Sequence, residues 1–130
     1  MRLLLDTHIA LCAVANSPRL SRMARELILS VENSVWVSSA SVWEIAIKHA
    51  LGRGEMPVTG VRANELFALS GYLPLAIDAK HAASVALLPQ QGVHADPFDR
   101  MLIAQARAES MTLLTHDGEV AAYGDAVMRV

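Results

Sequence analysis

An α/β fold, with a central, mainly parallel five-stranded sheet between two layers of helices, is what this sequence predicts. Short apolar runs of strand length alternate with longer amphipathic runs along the whole chain. The connections between them are short. The composition is 53% hydrophobic but only 5% aromatic, an aliphatic, alanine-rich core that suits helices on a sheet better than a sandwich of sheets. The 130 residues fit one domain, 1–130, large enough to form a core without staples.

The elements follow in order. Leu3-Leu4-Leu5 reads as a strand buried on both faces, too short for a helix and too apolar for an edge. Ile9 to Ala15 reads as a short helix closed by Asn16-Ser17-Pro18. Ser21 to Val31 reads as an amphipathic helix, with Met23, Leu27 and Leu29 or Ile28 inward and Arg22, Arg25 and Glu26 outward. Val35-Trp36-Val37 is a second strand. Ser38 to Ser41 offers several N-caps for a helix running to Leu51, stopped by Gly52-Arg53-Gly54 and Pro57. Asn64 to Leu69 is helical up to Gly71. Leu73 to Ile77 is a third strand, and Asp78 caps Ala79 to Leu88. After the loop Gln90–Ala95, Asp96-Pro97-Phe98-Asp99 opens a helix to about Glu109. Met111 to Thr115 is a fourth strand, Asp117-Gly118 leads into a short helical turn, and Ala126 to Val130 is a fifth strand.

Right-handed crossovers place the first strand centrally, with the second on one side and the fourth on the other. The gap beside the first strand is then the topological switch point, where ligands of open α/β sheets bind. Asp6 leaves the first strand there, and Asp117 follows the fourth. Glu44 lies near the first turn of the helix after the second strand. Asp99 lies in the first turn of the helix before the fourth. A plain crossover is expected to start that helix far from the carboxyl edge. Asp99 then joins the others only if the 90–95 loop carries the chain back over that edge, or if the helix crosses obliquely.

Converging carboxylates carry a specific chemistry. At ~4 Å and an effective dielectric of ~20, each like-charge pair costs about 4 kcal/mol, so such a cluster needs shared protons or bound cations. An all-oxygen site favours Mg²⁺ or Mn²⁺, the usual equipment for phosphodiester hydrolysis. Each acid also has an ordinary structural explanation. Asp6 caps a helix opened by Thr7. Glu44 pairs with Lys48 at i, i+4. Asp96 is an N-cap with Pro97 at the first helical position, and Asp99 suits the helix dipole. Asp117-Gly118 is a turn signal. Their joint placement is what argues for a site.

Other residues carry less. The five histidines (His8, His49, His81, His94, His116) show no paired ligand spacing, which speaks against zinc. His116 either touches substrate or is an exposed loop residue. Arg100 either steadies a scissile phosphate or serves a neighbouring acid. Arg19, Arg22 and Arg25 form a basic edge that reads as a solvated face. Trp36 and Trp43 read as core or interface anchors. The net charge of −2 argues against a generic nucleic-acid coat, although with four acids set aside in one site, 11 basic residues face nine acidic ones elsewhere. The single Cys12 agrees with a reducing cytosol. No apolar stretch is long enough to cross a membrane, and the N-terminus lacks signal-peptide character. A cytoplasmic protein is the expectation.

Four segments together resemble a known family. They are Leu4-Leu5-Asp6-Thr7-His8, Ser41-Val42-Trp43-Glu44-Ile45-Ala46-Ile47-Lys48, the block from His94 to Ala106 containing Asp96-Pro97-Phe98-Asp99-Arg100, and Leu114-Thr115-His116-Asp117. In this order they resemble the motifs of PIN-domain ribonucleases, and more narrowly of VapC-type toxins of bacterial toxin–antitoxin pairs. The resemblance implies a PIN-like fold with the acids gathered at one edge, Asp99 included. It implies that Asp6, Glu44, Asp99 and Asp117 are the family's four acidic positions. Asp6 and Asp99 would be the most direct metal ligands. Glu44 and Asp117 would bind a second ion or orient water. Thr7 and Thr115 would supply supporting hydroxyls, and Asp96 an accessory acid or cap. The implied chemistry is Mg²⁺-dependent endonucleolytic cleavage of RNA, with Mn²⁺ as a possible substitute. The implied partners are a like subunit, giving a homodimer, and a small antitoxin that occludes the acidic site.

Other acid-bearing α/β classes fit less well. A receiver-like switch expects paired acids after the first strand and a lysine after the last, but Thr7 follows Asp6 and no lysine lies beyond Lys80. An aspartyl-phosphate phosphatase needs an acid where His8 stands. A PIN fold kept only as a binding regulator is the remaining alternative, and the intact acid set argues against it.

Overall fold

The computed structural model of the chain describes residues 1–52, 56–90 and 96–130. Part of the Gly-Arg-Gly stop and most of the 90–95 loop, with His94, lie outside the described residues.

Five strands form one sheet in the order β3-β2-β1-β4-β5. They are β1 (Arg2–Leu5), β2 (Ser34–Ser38), β3 (Leu73–Leu75), β4 (Thr112–Thr115) and β5 (Val127–Arg129). Every neighbouring pair is parallel, so the sheet is parallel throughout. The helices are α1 (Thr7–Val14), α2 (Arg22–Leu29), α3 (Ser39–Ala50), α4 (Gly60–Leu69), α5 (Ala79–Ser84), α6 (Pro97–Glu109) and α7 (Gly118–Ala121).

Strand β1 is central because its three leucines are fully buried and strand side chains alternate between faces. Leu3 and Leu5 point into one core with Ile9, Ala24, Ile45, Ala63 and Phe67, from α1 to α4. Leu4 points into the other, with Leu102, Ile103 and Ala106 from α6, Val120 from α7 and Tyr123 just after it. These are the three layers that the alternating pattern predicts.

Several boundaries differ from the sequence expectations. The first helix starts at Thr7, two residues early, because the Asp6 side chain accepts from Ile9 N and caps it. In α2, Met23 and Leu29 face solvent, and Ala24 is the buried contact, with Leu27 and Ile28 half-buried. An eight-residue helix needs only a narrow stripe, and the small Ala24 lets it lie close. Helix α4 begins at Gly60, capped by Thr59, whose hydroxyl accepts from Arg62 N. The segment after Asp78 is α5 followed by a 3₁₀ turn, Val85–Leu87, that leaves Leu87 exposed.

The direction of α6 decides where Asp99 lies. Arg2 at the start of β1 donates from Nη1 to the carbonyl of Glu109, the last residue of α6, at 2.5 Å. The helix therefore ends at the amino edge of the sheet and starts at the carboxyl edge. The expectation that a crossover helix begins far from that edge is incorrect. A helix running antiparallel to the strands and leading into one must begin where the strands end, so Asp99 reaches the edge with no oblique crossing.

Gly60 marks where α4 crosses α3. A Cβ there would lie 2.6 Å from the Ala46 Cβ and 3.1 Å from its Cα, both on α3. Gly60→Val is expected to lose about 2 kcal/mol by overpacking, read as a lower urea midpoint. An unchanged midpoint would mean that the two helices separate freely.

Candidate active site

Asp6 is 8% exposed at the end of β1. Its Oδ1 accepts from Ile9 N at 2.8 Å, and its Oδ2 accepts from the Thr115 hydroxyl at 2.6 Å. The Thr115 oxygen in turn accepts from Asp117 N at 3.0 Å, so one hydroxyl joins β1 to the turn after β4. Burial pushes the Asp6 carboxyl above the ordinary 3.8; the Thr115 and Ile9 bonds and the charges of His8 and His116 pull it back without cancelling that rise. The cap and the site are the same side chain.

Thr7 connects this centre to α3. Its hydroxyl lies 2.6 Å from Glu44 Oε1 and 3.0 Å from Ser41 Oγ. A carboxylate only accepts, so the Thr7 proton goes to Glu44 and Ser41 donates to Thr7. Glu44 is 4% exposed, and its Oε2 accepts from Lys48 Nζ at 2.5 Å. The i, i+4 pair is therefore present, but it is not a surface ornament. Burial pulls Lys48 down, yet the bond and charge of Glu44, with the charges of Asp96 and Asp99, leave it above its ordinary value. Asp96 and Asp99 thus act at the same ammonium as Glu44. Trp43 on α3 meets Phe98 on α6 edge to face at 5.3 Å, which fixes the start of α6 beside α3.

Asp99 is half-buried in the first turn of α6. Asp96 is the cap, its Oδ1 accepting from Phe98 N at 2.9 Å and Asp99 N at 3.0 Å. Asp117 is exposed and caps α7 through Glu119 N at 2.7 Å. The structure thus places Asp6, Glu44, Asp99 and Asp117 around one edge.

Two expectations are corrected. Arg100 is buried and turned away from the acids, because adjacent helical positions do not share a face. Its Nη1 donates to Tyr123 Oη at 2.8 Å and Pro89 O at 3.1 Å, and its Nη2 to Val85 O at 3.3 Å. It clamps the 3₁₀ turn and is not aimed at a phosphate. His116 is half-buried and not an exposed loop residue. Its Nδ1 donates to Val130 O at 2.9 Å, and its buried Nε2 has no partner among the described residues. Trp43 is 59% exposed, an anchor at the rim and not in the core.

Sequence reasoning misses a buried bridge. Ser38 Oγ donates to Gln105 Oε1 at 2.5 Å, tying the end of β2 to α6. The available signal is a glutamine on the face of α6 shared by Leu102, Ile103 and Ala106.

Among the described residues, a different group satisfies the tight geometry of a metal cluster. Ligand atoms of Asp78, His81 and Glu109 all lie within 4.8 Å. Glu109 ends α6 at the amino edge, opposite the four acids. His81 Nδ1 accepts from Asp78 N, so Nε2 carries the proton and donates to Glu109 Oε1 at 2.7 Å. This is a satisfied capping box whose histidine also donates to an acid. The carboxyl-edge acids are spread more widely, and their oxygens, with the threonine hydroxyls beside them, suit a hard divalent cation.

A family model described as "PIN domain" matches residues 3–126. No curated protein matches the chain by sequence. Among solved structures, VapBC2 from Rickettsia felis bound to a DNA fragment from its promoter is 18% identical, with a TM-score of 0.68 over 100% of this chain and 98% of that one. FitAB bound to an IR36 DNA fragment is 26% identical, with a TM-score of 0.65 over 98% and 94%. A toxin–antitoxin complex from Klebsiella pneumoniae is 19% identical, with a TM-score of 0.66 over 97% and 95%. The first and third likenesses speak for the fold. Among the described residues, no helix is long and apolar enough to cross a membrane.

The raised Asp6 carboxyl has a thermodynamic consequence. The folded state holds this proton more tightly than the unfolded one, so stability falls as pH rises from 3.8 through the raised value. Above that window, ionised Asp6 is a standing cost. Asp6→Asn is expected to raise the melting temperature of the metal-free protein at pH 7, with the gain shrinking on acidification toward pH 4. Melting curves in chelator at the two pH values check this.

Proposed function

This chain belongs to the PIN domain family, and on that premise we propose that it is a metal-dependent endoribonuclease, the toxin of a toxin–antitoxin pair. The observation that carries the reading is the convergence of Asp6, Glu44, Asp99 and Asp117 on one edge through Thr115, Thr7 and Lys48. Each of the four has a structural use of its own, as a cap, an ion-pair partner or an acid in a helix's first turn, but those uses do not require them to share one edge beside a topological switch point.

Asp6 and Asp99 are the primary ligands of Mg²⁺, with Mn²⁺ as a substitute, and Glu44 and Asp117 hold a second ion or orient water. When bound, the cation supplies Lewis acidity toward a phosphodiester and lowers the pKa of water. The protein's own part is positional. Thr115 fixes the Asp6 carboxylate, and Ile9 N–H keeps its other oxygen aimed. Thr7 fixes Glu44. Asp117 is exposed, which leaves it open to a substrate.

The partners are suggested by the fold neighbours, several of which are toxin–antitoxin complexes. A small cognate antitoxin covers the acidic edge, a second copy of the chain forms a homodimer, and the cytoplasm is where such a toxin meets RNA.

Asp6→Asn is expected to reduce cleavage of total RNA by roughly 100-fold or more, since even residues that merely support a metal ligand are worth 10–100-fold. Sequencing of cleaved ends, with and without the substitution, reads this out. Full cleavage by a pure variant would sink the nuclease reading. In the same assay EDTA is expected to stop cleavage, and added Mg²⁺ or Mn²⁺ to restore it. Activity indifferent to chelation would exclude a metal mechanism while leaving a nuclease possible.

A further inference from the structure

Lys48 has no assigned role in the proposed reaction, yet it stands inside the acidic edge. Its ammonium lies 2.5 Å from Glu44 Oε2. It also feels the charges of Asp96 and Asp99 and sits 6.0 Å from the centre of the Phe98 ring. An ordinary i, i+4 pair on a helix surface contributes little. This pair differs because one partner is buried: the Glu44 side chain is 5% exposed, against 28% for Lys48. Glu44 already gives its other oxygen to the Thr7 hydroxyl. Removing Lys48 would leave a buried carboxylate without a countercharge, beside two further acids.

We propose that the Lys48 ammonium is the resident second cation of this edge, so that the site takes a single divalent ion. That ion is held by Asp6 with Asp99 and Asp117, and Glu44 is a positioning residue, bound by Lys48 on one side and orienting Thr7 on the other. The inference rests on the metal-dependent reading and revises two roles within it: Glu44 no longer holds a second ion, and Asp117 joins the single one. A long flexible stem carries the lysine charge in from a partly exposed position, which lets it balance the α6 acids without a dedicated cage.

The test counts ions and does not depend on activity. Mn²⁺ is titrated into the full chain, with free Mn²⁺ followed by electron paramagnetic resonance and heats by calorimetry. The wild type is expected to bind one Mn²⁺ per chain, and Lys48→Arg, which keeps the cation, also one. Lys48→Met is expected to bind two, with the second lost again when Glu44→Gln is added. Two ions in the wild type, or one in Lys48→Met, would overturn the proposal. If Lys48→Met does not fold, the wild-type count still decides it, supported at one and overturned at two. Asp6→Asn separates the existence of the metal site from its stoichiometry. Loss of the wild-type ion in that variant supports the metal site itself. No Mn²⁺ bound by the wild type overturns the metal reading and this proposal together, whereas two ions overturn this proposal alone.

Discussion

Carboxylates of like charge must be held at the end of a buried strand without either flying apart or becoming neutral. Asp6 shows how the chain meets this demand. Both of its oxygens are tied to neutral donors, Ile9 N–H and the Thr115 hydroxyl, within an environment that disfavours the charge. Glu44 is held in the same manner by Thr7, then balanced by Lys48. The hydroxyls fix direction without neutralising the acid. That leaves the negative potential in place for a cation or a cation-bearing substrate, at a cost in stability of the empty site.

The sheet makes this possible through a single alternation. Leu3 and Leu5 serve one core and Leu4 the other, so β1 is locked at the centre and its register to β2 and β4 is fixed. Asp6 and Thr115 are then neighbours because each directly follows or ends a central strand. Helices α1, α3 and α6 all start at this edge, and their N-terminal dipoles face the acids. The cap of α1 is for that reason also one of the four edge acids.

Much of this is legible in the sequence. The central place of Leu3–Leu5 between the second and fourth strands and the edge position of Asp6 and Asp117 follow from alternation and handedness. Asp99 is misplaced only when the polarity of a crossover helix is taken the wrong way round; the residues themselves are sufficient. Side-chain direction is less accessible. Arg100 sits one position from Asp99 and points elsewhere, toward Tyr123 and the carbonyls of the 3₁₀ turn. The Ser38–Gln105 bridge joins residues 67 apart, which no local pattern reports. Periodicity places Met23 inward, whereas the close approach at Ala24 decides which side of α2 is buried.

Glu44 and Lys48 show where sequence reasoning stops and three-dimensional context takes over. Their spacing is equally that of a solvated helix pair and of a buried charge relay. The amino-edge group of Asp78, His81 and Glu109 offers the contrast. There each donor meets an acceptor: Asp78 N and His81 Nδ1, His81 Nε2 and Glu109, His81 N and Asp78. Such a group is complete and needs no added cation, even though its atoms are the more tightly clustered. At the carboxyl edge the acids are looser, and among the described residues the Asp6 oxygens accept only from neutral donors, so its charge is oriented without a direct ion pair. Compactness alone therefore does not mark a metal site here; on the metal-dependent reading, charge held in a fixed direction is the better guide.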